Sequence, residues 1–106
     1  GFTERVGMVL VHNGVARATS RSGAPVRELD VTVDQAAIDA LVAEYQEKPG
    51  IFRILVEARS GKVLPSDDPL FIIVAGELRE HVKPVLSELL DRIKAEAISK
   101  TEYTAL

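Results

Sequence analysis

The stretch PLFIIVAGELREHVKPVLSELLDRIKAEAISKTEY, residues 69–103, decides how this chain folds. Its first part, Pro69–Ala75, is a short unbroken apolar run rich in β-branched residues and reads as a buried strand. From Leu78 to Ala95 the period changes. Val82, Val85, Leu86, Leu89, Leu90 and Ile93 recur at helical spacing and form one apolar stripe. Pro84 lacks an N–H and fits best in a first helical turn, which predicts a regular helix starting only at about His81–Lys83. Ile98–Tyr103 then returns as an edge strand.

The same reading extends toward the N-terminus. Val6–Val15 is a strand candidate, with His12-Asn13-Gly14 expected as a bulge or break. ARATSRSGAP, 16–25, is a polar loop carrying Arg17 and Arg21, and Val26–Val33 alternates as a second strand. Asp34 is placed to cap a helix whose apolar face is Ile38, Leu41, Val42 and Tyr45. Pro49-Gly50 stops that helix, and Ile51–Glu57 follows as a strand. Residues 58–68 read as a turn-rich connection. The order strand, strand, helix, strand, strand, helix, strand predicts an α+β fold, with helices on a mostly antiparallel sheet. A length of 106 residues predicts a single domain spanning 1–106.

Composition narrows the chemistry. The net charge of −3 argues against a general nucleic-acid binder. The absence of cysteine removes disulfides, thiol catalysis and cysteine-ligated zinc, and fits a cytoplasmic protein. The two histidines, His12 and His81, lack zinc-ligand spacing, and both are expected to face solvent. No metal and no bound cofactor is called for by any residue pattern. No apolar run reaches the roughly 18 residues of a membrane span.

Lys94 stands out because it lies four residues after Leu90 and eight after Leu86, continuing the buried stripe. One reading lays its stem along the core with the ammonium in water. The other makes it a partly desolvated amine suited to proton transfer. Lys100 and Glu102 follow beyond the helix. Arg17, Arg21, Arg59 and Arg79 fall in loops or at element ends, where converging guanidinium groups would make an anion site.

On these residues the chain resembles the large, catalytic subunit of molybdopterin synthase, the MoaE family. RSGKVLPSDDPLFIIVAGELRE resembles the family's block of an HRxG turn, a Pro-Gly-Asp turn, an apolar strand and a second HR. That match puts Arg59 and Arg79 on the two motif arginines. IKAEAISKTE resembles the LK…WKxE ending, which puts Lys94 and Lys100 on the active-site lysines, with Thr101 and Glu102 beside the second. HNGVAR resembles the strand-ending GxVR, so Arg17 takes the pocket arginine's place.

The resemblance implies an α/β hammerhead fold and a homodimer that binds a small ubiquitin-like sulfur carrier. It implies sulfur transfer from the carrier's thiocarboxylate tail to cyclic pyranopterin monophosphate, with Lys94 and Lys100 catalytic. Arg17, Arg59, Arg79, Thr101 and Glu102 would bind substrate. The chain departs from the family pattern at Ala58 and Leu78, where the HR motifs have histidine, and at Ser99 and Ser66, which stand for tryptophan and glycine. Three readings therefore remain: a divergent synthase subunit, a non-catalytic homodimer of the same fold that binds a small anion or a ubiquitin-like partner, and an unrelated α+β ligand-binding module. If Arg79 and Lys94 share one helix they lie about 22 Å apart at about 1.5 Å per residue. A pocket using both would then have to be built across a dimer interface.

Overall fold

The structure, a computed structural model, describes residues 4–104. Its elements run β1 (Met8–Gly14), β2 (Val26–Val33), α1 (Gln35–Gln46), β3 (Ile51–Ala58), β4 (Gly61–Val63), β5 (Leu70–Gly76), α2 (Arg79–Glu96) and β6 (Ile98–Thr104). The fold is α+β, and its antiparallel strands divide into two sheets ordered β1-β5-β3 and β4-β2-β6. The molecule is elongated, measuring 54 × 24 × 20 Å with a radius of gyration of 15.4 Å. A compact chain of this length would have about 13 Å.

The apolar run of residues 69–75 is the central strand of the first sheet, as its two-sided hydrophobicity requires. Leu70, Ile72 and Val74 face the helices and are buried. They join Ile38, Leu41 and Tyr45 of α1 and Val82, Val85, Leu86, Leu89 and Ile93 of α2 in one core. The opposite sheet face is left open, with Val9, Val11 and Leu55 exposed.

Local chemistry explains most element ends. The Asp34 carboxylate accepts from the Ala37 N–H at 3.0 Å and caps α1. After α1, Gly50 takes φ +76, and a methyl group there would meet the His81 ring at 2.2 Å from Nδ1. Only glycine satisfies both conditions. His81 is thus half-buried over Gly50, not solvent-facing as expected.

Three other expectations are corrected. β1 pairs with β5 residue for residue from Met8 to Gly14, so His12-Asn13-Gly14 is neither bulge nor break. The register shifts fall instead between Val26 and Glu28 and between Ile51 and Arg53. α2 begins at Arg79 and runs through Pro84, an exposed residue with no N–H to offer the Glu80 carbonyl. The Leu78 carbonyl receives the N–H groups of both His81 (3.0 Å) and Val82 (3.1 Å) and completes the first turn. Finally, the connection 58–68 contains the short strand β4, too brief to show a period.

Within that connection, Leu64-Pro65-Ser66-Asp67 makes a turn closed by Asp67 N–H to the Leu64 carbonyl at 3.0 Å. Ser66 sits at φ 79, the left-handed region that costs a non-glycine residue about 1 kcal/mol or more. Ser66→Gly is therefore expected to raise unfolding free energy by about 1 kcal/mol in urea titration. A loss of stability would contradict the strain assignment.

Candidate functional site

Where the two sheets meet, a cavity of about 760 Å³ opens between the end of β1, the start of β5, the last turn of α2, and β2 with β6. This size suits a small-molecule ligand. Its apolar floor includes Leu29 and Val31 of β2, Leu70 of β5 and Ile98 of β6.

Strand alternation decides which β6 residues reach it. Ile98, Lys100 and Glu102 share one face and line the cavity. Ser99, Thr101 and Tyr103 take the other face, where the Tyr103 hydroxyl bonds to Asp30 and its pKa is raised. Lys94 enters from α2. It is exposed and lies beside the buried stripe instead of continuing it, because Ile93 takes the inward position. Its place in the last helical turn suits a cation, since the helix dipole is negative there.

The polar loop 16–25 forms the roof and carries Arg17 and Arg21. It is closed by Ser20 N–H to Ala24 O (2.8 Å), Gly23 N–H to Ser20 O (3.0 Å) and Val26 N–H to Ala18 O (2.7 Å). The cavity wall at Ala16 is pinned from outside. Ala16 N–H donates to Asp67 O and Ser66 N–H to Ala16 O, both at 2.8 Å.

The cavity lining thus contains four cations, Arg17, Arg21, Lys94 and Lys100, against one carboxylate, Glu102. Arg17, Arg21 and Lys94 have no hydrogen bond or ion pair to another described residue. Lys100 stands 3.9 Å from Glu102, an exposed pair that contributes little. Concentrated positive charge in a chain of net charge −3 is suited to hold anions.

Of the expected site residues, Arg17, Lys94, Lys100 and Glu102 come together, while Arg59, Arg79 and Thr101 lie elsewhere. Thr101 is on the far face of β6. Arg59 donates to Asp67 at 3.0 Å, and the same carboxylate oxygen accepts the Leu64 N–H at 2.9 Å. Arg59 thereby braces the turn that pins Ala16. Arg79 is exposed at the start of α2, beside Glu80 at 3.3 Å. The continuous helix sets it about 22 Å along the axis from Lys94.

Arg21 was visible only as a loop arginine, because periodicity cannot show convergence. His12 was misread. Alternation puts it on the same strand face as Gly14, which faces inward, and its Nε2 is buried.

No helix among the described residues is long and apolar enough to cross a membrane. No curated protein matches this sequence. Among solved structures, a molybdopterin synthase from Staphylococcus aureus is similar at 23% identity and a TM-score of 0.83, covering 96% of this chain and 77% of that one. MoaE of Burkholderia multivorans gives 22% and 0.76, covering 96% and 73%. A complex of subunits 1 and 2 of the molybdopterin-converting factor from Helicobacter pylori gives 16% and 0.76, covering 96% and 69%. These TM-scores establish a shared fold. The family model described as MoaE protein matches residues 2–96. With nearly the whole sequence matched, the chain belongs to the MoaE family, a placement that supports a role in molybdenum cofactor biosynthesis.

Proposed function

We propose that this chain is a catalytic subunit of molybdopterin synthase type, moving sulfur from a thiocarboxylated ubiquitin-like carrier to cyclic pyranopterin monophosphate. The observation that carries the reading is the gathering of Arg17, Arg21, Lys94 and Lys100 around one cavity. The carrier's thiocarboxylate is an anion, and so is the substrate phosphate. Two anions repel unless cations stand between them, and a low-dielectric wall strengthens each attraction. Arg17 presents a bidentate donor for phosphate. Lys94 and Lys100 stabilise negative charge that develops as sulfur transfers, and an ammonium can also give up a proton. Glu102 lines the same cavity beside Lys100. A cysteine-free chain in this role fits the cytoplasm.

A small carrier subunit fits the similarity to the two-subunit Helicobacter pylori complex. The reading also includes a homodimer. The open face of the first sheet, with exposed Val9, Val11 and Leu55, offers it an apolar surface. Arg79 and Lys94 stand at opposite ends of α2, so a pocket that used both would need a second copy to complete it. Light scattering at micromolar concentration is expected to give twice the chain mass, and a strictly monomeric protein would contradict the dimer.

Substrate binding tests the anion site. Arg17→Ala is expected to weaken cyclic pyranopterin monophosphate binding about tenfold or more by calorimetry, the loss of a charge-assisted pair worth about 1.5–3 kcal/mol. Unchanged affinity would remove Arg17 from the site.

A further inference from the structure

His12 is outside every role assigned so far. It lies on the inward face of β1, opposite Ile72 of β5, in a strand that packs against α2. Its Nε2 is buried and has no hydrogen-bond partner among the described residues. Buried polar atoms are nearly always paired, and an unpaired one costs about 1–3 kcal/mol. Packing alone would favour an apolar side chain here.

Two observations locate that nitrogen. A methyl group added to Gly14 would lie 3.3 Å from it, and Gly14 lines the cavity. Lys94 lines the same cavity and belongs to α2, the helix packed on β1. Lys94 has no ion pair to another described residue, and its four-carbon stem leaves the ammonium free to swing.

We propose that His12 is a positioning residue for Lys94, its bare Nε2 accepting a hydrogen bond from the ammonium when the lysine stem swings inward beside Gly14. Its purpose rests on the sulfur-transfer reading above. A carboxylate in this position would neutralise the amine, whereas a neutral imidazole orients it and leaves the full charge for an anion.

The surroundings favour the neutral ring. Burial lowers the His12 pKa below its ordinary 6.5, and the Lys94 charge lowers it further. Arg17 and Arg21 of the loop and Lys100 and Glu102 of β6 line the same cavity, while β5 and β3 present Ile72 and Val56 on this face. Between 6.5 and the lower folded value, the unfolded chain holds a proton that the folded chain does not. The stability contribution is complete above 6.5 and is lost as pH falls through the folded value.

Nitrogen-15 NMR of the imidazole rings in the full chain tests this directly. His12→Gln identifies the His12 signals, leaving those of His81. The expected result near pH 7.5 is the Nδ1–H tautomer with Nε2 unprotonated. Lys94→Met is expected to raise the His12 pKa and to restore the ordinary Nε2–H form. A protonated Nε2 in the unaltered chain, or a titration unmoved by Lys94→Met, would overturn the proposal.

Turnover supplies a second readout. His12→Gln retains an acceptor and is expected to keep most sulfur transfer, whereas His12→Phe is expected to lower it by up to about a hundredfold. Equal activity in the two would overturn the proposal. The NMR result does not depend on activity. A ring that behaves as expected in a chain without turnover would leave the positioning intact and remove only the sulfur-transfer reading.

Discussion

Lys94→Ala and Lys100→Ala are each expected to lower single-turnover sulfur transfer by about 10²–10⁴-fold, the usual range for losing a positioned acid or base. Both side chains are exposed, so neither change opens the core. Substitutions of this kind usually alter stability by less than about 0.5 kcal/mol. Lost turnover with an unchanged denaturation midpoint would therefore report chemistry. Lys94→Arg separates the two duties of the amine. It keeps a cation in the cavity but replaces the amine with a guanidinium that does not give up its proton. Retained activity in Lys94→Arg would mark charge stabilisation as the dominant role. Undiminished transfer in Lys100→Ala would take Lys100 out of the catalytic machinery.

The largest expected effect on folding comes from Leu89→Ala. Leu89 has no exposed surface and lies midway along the α2 stripe, within the core shared with α1 and the first sheet. Truncation removes apolar contact and leaves a space its neighbours fill only in part. The expected loss is about 2–5 kcal/mol in denaturant titration. That is a large share of the roughly 5–15 kcal/mol that stabilises a typical domain. For a chain near 100 residues, each kcal/mol lowers the midpoint temperature by about 4–8 °C. A change below 1 kcal/mol would mean that Leu89 is not packed as described.

The local period carried much of this fold. The unbroken run of residues 69–75 marked the central strand, and the spacing from Val82 to Ile93 marked the helix packed on it. Asp34 and Pro49-Gly50 set the ends of α1. What escaped the sequence depended on tertiary pairing. Three residues cannot display a period, so β4 was hidden among turn residues. The division into two sheets follows from which strands find each other, and no local signal specifies that. Pro84 suggested a late helix start, yet burial of Val82 and Val85 carries the helix through it. Lys94 differs from its expected place by a single position on the helix wheel, because Ile93 takes the inward place.

For the site, motif resemblance selected the lysines and Arg17, and the structure brings their side chains to one cavity. The same resemblance selected Arg59, which braces a turn, and Arg79, which is too far along α2 to reach that cavity within one chain. Arg21 and His12 were missed for different reasons. Arg21 converges through loop closure, which sequence spacing does not encode. His12 could have been placed by counting back two residues from Gly14 along an unbroken strand.

Ala58 and Leu78 occupy positions where the resembled motifs carry histidine, so activity of the unaltered chain is the central question. The most direct measurement is single-turnover sulfur transfer with a thiocarboxylated carrier and cyclic pyranopterin monophosphate, quantifying molybdopterin. The account predicts product that requires the thiocarboxylate and disappears with Lys94 and Lys100. Carrier binding without any product would contradict it and identify a non-catalytic binding protein of the same fold.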